Sequence, residues 1–301
     1  MDGRSGCFLP VPPHMSLGRS TTARTTIKVA AGLIVIKLAA FLATGSAGIL
    51  GSTLDSVLDL VASGLVLWAV LAAERPADAD HPWGHGKAES LAGLFQSGFI
   101  LLSGIGLAIE TARRAMSGEA RVEVPWVGVA VMVASTLVTI WWVRELRRAA
   151  RETDSPALEA DSHHYASDVL MNAGVAVGLV LSFLLPGVAW PDLLVGGLIA
   201  LLILNTARIV FLKSVHNLMD RGLEPAEALA VLEAVARHAP RVAGFHDLRT
   251  RRSGRDVFLE VHLDVDRCLS FVAAHEAAEE VAAAIEAAVP RSRVTVHADP
   301  L

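Results

Sequence analysis

The sequence predicts an α-helical membrane protein with six transmembrane helices and a C-terminal cytosolic α+β domain. Three observations support this fold class. The 301 residues are 53% hydrophobic with a mean hydropathy of +0.49, which is too apolar for an ordinary soluble protein. Six apolar runs each approach the roughly 20 residues needed to cross a bilayer core of about 30 Å. After Gly222 the composition changes to that of a soluble domain.

The six runs are joined by loops of two kinds. Short connections alternate with the longer, charged ones at Glu74 to Lys87 and Arg144 to Ser162. Basic residues precede the first run, flank the second connection and follow the fourth run. Because loops rich in Lys and Arg remain in the cytosol, both termini are expected there. The runs lie at residues 26–44, 48–73, 90–115, 124–146, 164–185 and 190–212.

We divide the chain into three parts. Residues 1–24 lack the short apolar core of a cleavable signal and are interpreted as a disordered cytosolic leader. Residues 25–215 form the membrane domain, and residues 216–301 form the cytosolic domain. The fifth helix is expected to begin at Pro156, with Asp154 or Ser155 as its cap.

The last part has an α-β-β-α-β order. Apolar periodicity predicts helices over 224–239 and 270–288, and alternation predicts strands over 242–252, 256–265 and 292–298. Ser253-Gly254 marks a hairpin between the first two strands. This order predicts helices packed on one face of a mostly antiparallel sheet.

Charge and cysteine content exclude several classes of protein. The formal net charge of −5 is mild and favours neither a nucleic-acid partner nor an acidic one. Cys7 and Cys268 have no paired spacing, so neither a disulfide framework nor a thiolate zinc site is indicated.

Two predicted spans carry pairs of metal-ligand residues. Asp55 and Asp59 lie four apart in the second span, and His164 and Asp168 lie four apart in the fifth. That spacing places each pair on one helical face. Ionisable groups within a span are costly and mark functional sites. One imidazole and three carboxylates can surround a divalent cation, although polar helix–helix contacts are an alternative.

The loop after the second span offers a second group. Asp78, Asp80, His81 and His85 lie close together there and can bind a zinc-like ion. A hydrophilic loop that simply carries polar residues explains them equally well.

The predicted strands of the last domain carry a third group. His246, His262 and His297 lie on three different strands, Asp299 follows His297, and His275 lies on the intervening helix. Strand pairing can bring the imidazoles together with one carboxylate as a metal site. Solvated histidines scattered over a small sheet are the alternative.

These residues lie within strings that resemble the cation diffusion facilitator family, and within it the bacterial ferrous-iron and zinc efflux transporters. The resemblance runs from about residue 25 to the end. The matching strings are LDSVLD, PADADHPWGHGKAES, HHYASDVLMN, MDR, GFHDLRTRRSG, EVHL, AAHE and VHADP. It implies six membrane helices, a ferredoxin-like cytosolic domain and a homodimer in the bacterial inner membrane that exports divalent metal against protons.

The resemblance also implies roles for particular residues. It makes Asp55, Asp59, His164 and Asp168 the transport site, and Asp78, His81 and His85 a loop site. It implies a charge interlock between Lys87 and Asp220 near the membrane surface of the dimer. The cytosolic binuclear site that it implies comprises His246, His262, His275, His297 and Asp299.

The expected function is therefore export of Zn(II), Fe(II) or Cd(II), with zinc or iron also acting as a regulatory ion. Oxygen ligands around one imidazole suit this range of cations. A membrane metal sensor or scaffold that does not transport is the alternative. A metalloenzyme is disfavoured, since it needs an open coordination position, a general base and a substrate cleft. Lys37, a charge within the first span, has no assigned role and is interpreted as snorkelling or reaching a water-filled cavity.

Overall fold

Six long helices make up the first two thirds of the chain in a computed structural model, which describes residues 17–44, 47–117, 126–184, 190–238 and 241–301. Apolar side chains dominate the middle of each helix, as the hydropathy pattern predicts. The helices are α1 (Leu17–Thr44), α2 (Ala47–Ala73), α3 (Lys87–Ser117), α4 (Trp126–Thr153), α5 (Pro156–Leu184) and α6 (Trp190–Leu218).

Among the described residues, four stretches are long and apolar enough to cross a membrane. They are Gly18–Ala43, Ser52–Ala73, Lys87–Arg113 and Leu194–Leu218, in α1, α2, α3 and α6. α3 packs along α6, α1 packs against α2 and α4, and α5 contacts α3, α4 and α6.

The start of α1 corrects one sequence-based prediction. The helix begins at Leu17, so residues 17–24 are helical instead of belonging to a disordered leader. Arg19 is buried and forms an ion pair with the fully buried Glu89 at the start of α3. The hydroxyl of Ser155 also donates to Glu89. A charged pair buried in this way holds the first turns of α1 against α3 and α5.

The start of α5 agrees with its predicted cap. Pro156 is the first helical residue, and the backbone N–H of Leu158 donates to the side-chain oxygen of Ser155 at 3.3 Å. Of the two predicted candidates, Ser155 therefore caps the helix. Its position fixes where His164 and Asp168 lie along α5.

The tail domain, Pro225–Leu301, contains two helices and a three-stranded sheet. Its helices are α7 (Pro225–Ala236) and α8 (Phe271–Ala288), and its strands are β1 (Val242–Ser253), β2 (Asp256–Val265) and β3 (Ser292–Pro300). The strand order is β1-β2-β3. β1 pairs with β2 antiparallel, whereas β2 pairs with β3 parallel. The expectation of a mostly antiparallel sheet is wrong, because the α8 crossover returns the chain in the same direction.

The two faces of the sheet differ. Val257, Leu259, Val261 and Leu263 of β2 are buried against α7 and α8. Because side chains alternate along a strand, His262 lies on the opposite, open face. The helices thus cover one face, and the histidines lie on the other.

Candidate metal centres

The first candidate centre lies between α2 and α5. Ligand atoms of Asp59, His164 and Asp168 lie within 4.8 Å of one another, and His164 Nε2 is 3.1 Å from Asp59 Oδ1. His164 is buried, with 3% of its surface exposed. Its Nδ1 and Asp168 Oδ2 are buried without a hydrogen-bond partner among the described residues. Buried polar atoms of this kind usually have partners, and a divalent cation would satisfy both.

Asp55 lies outside this group. Of the four predicted ligands, three have side-chain atoms close enough together to share one cation. The side chain of the fourth, Asp55, is exposed. Four residues of helix correspond to about 6 Å along the axis, so Asp55 lies a full turn from Asp59. The two carboxylates still interact electrostatically. The spacing of four residues predicted that Asp55 and Asp59 share one face of α2. It did not predict which turn of α2 packs against α5.

A buried polar layer adjoins the centre, and the sequence analysis missed it. The Ser63 and Tyr165 hydroxyls are 3.0 Å apart, and Gln96 Nε2 donates to Asp161 Oδ1 at 2.8 Å. Gln96 and Asp161 are both fully buried. Ser63 follows Asp59 by four residues and Asp161 precedes His164 by three, so helical periodicity could have placed both on the ligand faces.

Lys37 also has a specific position that the sequence did not reveal. Its ammonium donates to Ser56 Oγ at 2.7 Å and to the Ser52 carbonyl oxygen at 3.2 Å. It interacts electrostatically with Asp59, Asp168 and Asp55. The ammonium therefore has partners on α2 and offsets part of the negative charge beside the centre.

The second candidate centre lies in the loop between α2 and α3. Ligand atoms of Asp78, His81 and His85 lie within 4.8 Å of one another, and the two imidazole centroids are 4.5 Å apart. Backbone N–H groups of His81 and Asp80 donate to Asp78 Oδ1 at 2.7 and 3.1 Å. The His81 hydrogen bond lowers the pKa of the Asp78 carboxyl, which keeps it ionised as a ligand.

The same loop is fixed to the end of α6. Lys87 Nζ lies 3.0 Å from Asp220 Oδ1 and donates to the Leu218 carbonyl oxygen at 3.2 Å. The pairing that the family resemblance implied is thus present within one chain. It joins the loop to the connection that enters the tail domain.

The third candidate centre is a row of imidazoles across the open face of the tail sheet. His246 lies opposite His262 on the antiparallel pair, and His262 lies opposite His297 on the parallel pair. Asp299 joins all three: its oxygens lie 3.3 Å from His246 Nε2, 2.8 Å from His262 Nδ1 and 2.6 Å from His297 Nδ1. The hydrogen bond from His262 lowers the pKa of the Asp299 carboxyl, with His297 contributing to the shift.

Within this row, ligand atoms of His246, His262 and Asp299 lie within 4.8 Å of one another. Asp264 also contacts the row, with Oδ1 3.1 Å from His246 Nδ1. It was missed although it lies two residues after His262 and therefore shares its face. His275 is not brought to this group within the chain; it is exposed on α8 and stacks on Phe271, with ring centroids 6.3 Å apart.

Imidazole nitrogens and carboxylate oxygens are the donors in all three centres. This donor set suits zinc and similar divalent cations of the first transition row. The first centre differs from the others because it is buried between helices, whereas the loop and tail centres are more open to solvent.

Comparison with known proteins agrees with this arrangement. Residues 25–219 match the cation efflux transmembrane domain, and residues 223–301 match the cation efflux protein cytoplasmic domain. The cation-efflux pump FieF of Shewanella oneidensis is 40% identical over 278 residues, covering 92% of this chain and 93% of that protein. The FieF pump of Cronobacter sakazakii is 40% identical over 281 residues, covering 93% and 92%.

A solved structure of CzrB in its Zn form is 34% identical, with a TM-score of 0.26, and covers 27% of this chain and 92% of the CzrB chain. The two family matches together span nearly the whole sequence, and the FieF proteins align over more than nine tenths of it. The chain therefore belongs to the cation efflux family, also called the cation diffusion facilitator family.

Proposed function

We propose that this protein exports divalent metal cations, with Zn(II), Fe(II) and Cd(II) as its range, across a bacterial inner membrane in exchange for protons. The family is one of transporters, and the FieF relatives are named as cation-efflux pumps. The proposal includes six membrane spans, both termini in the cytosol and a homodimer. It divides the described chain into a membrane domain to residue 215 and a cytosolic domain from residue 216.

The observation that carries the proposal is the buried centre of Asp59, His164 and Asp168 between α2 and α5. We propose this as the transport site, with Asp55 as its fourth ligand because that carboxylate is one turn away and interacts with Asp59. A centre between two helices can be exposed to either side in turn if the helices shift. Alternating access follows from such a shift.

Proton exchange follows from the chemistry of the ligands. Metal ions bind deprotonated imidazole and carboxylate groups, so a cation and protons compete for the same lone pairs. Release of the cation on the far side then leaves these groups free to take protons inward. A separate proton path is not needed.

The loop and tail centres have a regulatory role in this proposal. We propose Asp78, His81 and His85 as the loop site, and His246, His262, His275, His297 and Asp299 as the binuclear tail site. His275 can complete the tail site only if pairing with a second chain brings it to the row of imidazoles. Occupied tail sites would draw two cytosolic domains together and bias transport.

Metal flux into proteoliposomes tests the transport function directly. Zn(II), Fe(II), Cd(II) and Mn(II) are supplied with and without a pH gradient, and Asp59→Asn is compared with the wild type. The proposal expects gradient-dependent flux that Asp59→Asn reduces by at least about tenfold, since a ligand is lost. Glu152→Gln, which removes an exposed carboxylate on α4, is the charge-matched control.

The same experiment separates the alternative functions. If Asp59→Asn carries wild-type flux, the membrane centre is not the transport site. If the wild-type protein carries no flux of any of the four cations, a sensor or scaffold explains the chain better. Flux that does not depend on the pH gradient contradicts proton exchange but leaves metal export itself intact. Removal of residues 222–301 should change how flux depends on metal concentration; an unchanged dependence contradicts regulation by the tail.

A further inference from the structure

A cavity of about 520 Å³ opens where α4, α5 and α6 meet the tip of the β1–β2 hairpin. The metal centres do not use it. His163, which neighbours the ligand His164, points into this cavity. The cavity is lined by five basic side chains, Arg147, Arg151, Lys213, Arg221 and Arg252.

Two of these basic groups have no ion-pair partner among the residues that the structure describes. Three acidic side chains also line the cavity, which leaves a net charge of about +2 from five cations and three anions. Lys213 pairs with Glu159 at 2.6 Å, Arg221 pairs with Glu224 at 3.5 Å, and Arg252 pairs with Glu227 outside the lining. Within the described part of the chain, Arg147 and Arg151 have no such partner.

Arg147 and Arg151 share one face of α4, because they lie four residues apart. Both side chains are exposed. Two adjacent guanidinium groups that are not neutralised by the protein form a site for an anion, and the planar fork of arginine matches phosphate oxygens.

The position of the cavity along α4 can be compared with the expected level of the lipid headgroups. Trp141 on α4 is exposed, and tryptophan side chains concentrate at the boundary between hydrocarbon and headgroups. Arg147 follows six residues later, which is about 9 Å along a helix. Arg151 follows ten residues after Trp141, which is about 15 Å along the helix. Both positions therefore lie on the aqueous side of a headgroup layer about 5–8 Å thick, and their side chains tilt back towards it because helical side chains lean towards the N-terminus.

A second cavity of only about 30 Å³ adjoins the first. It shares Glu159, His163 and Lys213 with the first cavity and lies between α5 and α6, beside Ala160, Ile209 and Val210. The side chain of Ile209 is 51% exposed. A charged chamber beside an exposed apolar side chain suits the polar head of a lipid whose hydrocarbon chains lie in the membrane.

We propose that this cavity binds the phosphate-bearing headgroup of an anionic phospholipid whose acyl chains remain in the bilayer. Basic pockets between membrane helices on the cytosolic side bind such headgroups. The positive lining disfavours use of the cavity as an entry path for divalent cations. The tail hairpin contributes Arg252 and Gly254 to the lining, so a bound lipid would contact both domains.

Lipid titration of the purified full-length chain tests the proposal. The protein in zwitterionic detergent is titrated separately with dioleoyl phosphatidylglycerol, dioleoyl phosphatidylcholine and inorganic phosphate, and thermal unfolding gives the half-saturating concentration. Binding of phosphatidylglycerol to the wild type should reach saturation, whereas binding of phosphatidylcholine or inorganic phosphate should not. Each basic residue near an anionic headgroup changes affinity about fivefold, so Arg147→Gln with Arg151→Gln should weaken binding about 25-fold.

Two further variants make the outcome specific. Arg144→Gln with Arg148→Gln removes the same charge from neighbouring residues of α4 that do not line the cavity, and this variant should bind within about twofold of wild type. Arg147→Lys with Arg151→Lys keeps the charge and should restore most of the affinity. Should the double glutamine variant not fold, the single variants Arg147→Gln and Arg151→Gln, each with an expected loss of about fivefold, serve instead.

Three results would overturn the proposal. Equal losses of lipid affinity in the two double glutamine variants would mean that the total positive charge attracts the lipid and that the cavity is not a specific site. Equal binding of the two lipids would exclude recognition of the anionic headgroup. Saturation by inorganic phosphate alone would assign the cavity to a soluble anion instead of a lipid.

Discussion

Gly86 in the α2–α3 loop is in backbone contact with Ser253 at the tip of the β1–β2 hairpin. A Cβ on Gly86 would lie 2.3 Å from the Ser253 carbonyl oxygen and 2.7 Å from its carbonyl carbon. Backbone atoms cannot rotate away as a side chain can. The loop that carries His81 and His85 and the turn of the tail domain are therefore packed together without space for any side chain.

Gly86→Ala should separate this loop from the hairpin. Overpacking against backbone costs about 1–3 kcal/mol, so the apparent melting temperature of the purified protein should fall. Gly98→Ala is the matched control, since a Cβ there meets nothing within 4 Å and alanine favours a helix over glycine. Equal melting temperatures for the two variants would contradict the close packing at Gly86.

Arg251 should be a second fixing point for the loop. Its Cζ lies 4.3 Å from the Trp83 ring centroid and 5.0 Å from that of Phe258. A cation beside an aromatic face contributes about 0.5–1 kcal/mol when exposed. Only Trp83 belongs to the loop, and Arg251 also lies 4.0 Å from Asp220. Arg251→Gln removes the contact with Trp83, so amide hydrogen exchange across residues 78–86 should speed up about 2–5-fold.

Arg249→Gln provides the control for that experiment. Arg249 is exposed on the same strand and has neither ring interaction. Hydrogen exchange in the loop should remain at the wild-type rate in this variant. If both variants accelerate exchange equally, general loss of charge on β1 is responsible and the ring interactions are not.

The effects of substituting Gln96 and Asp161 on the melting temperature should not be additive, because the two buried side chains form one hydrogen-bonded pair. Gln96→Leu removes the amide that donates to Asp161 at 2.8 Å, and an unpaired buried polar group costs about 1–3 kcal/mol. Asp161→Asn removes the buried charge and keeps the shape, so it should be nearly neutral. Adding Asp161→Asn to Gln96→Leu should therefore restore part of the lost melting temperature. Additive losses would show that the two residues act independently.

Local sequence patterns predicted the elements well but not the contacts between them. Alternation of Val257, Leu259, Val261 and Leu263 located β2 and its buried face, because the pattern is a property of one strand. It also put His262 on the open face. The parallel pairing of β3 depends on how α8 crosses the sheet, and no short stretch of sequence carries that information.

The membrane centre illustrates the same limit. Spacing of four residues paired Asp55 with Asp59 and His164 with Asp168, since it depends only on helical geometry. Which turn of α2 lies beside α5 depends on helix packing, and Asp55 falls outside the group for that reason. The partner of Lys37 and the Gln96–Asp161 pair join different helices, so no periodicity within one helix could reveal them.

Asp299 should determine metal affinity in the tail domain. It contacts His246, His262 and His297, so Asp299→Asn removes the one carboxylate common to the row. Zinc affinity should fall by at least about tenfold. Competition with a chelating dye measures this affinity in a full-length background of Asp59→Asn and Asp78→Asn, where the other two centres are weakened.

Asp266→Asn is the control. The Asp266 carboxylate accepts a hydrogen bond at Oδ1 from the backbone N–H of Cys268, and its replacement should leave the zinc affinity unchanged. An Asp299→Asn protein that binds zinc as tightly as this control would mean that the imidazoles alone, or a site elsewhere in the chain, hold the ion.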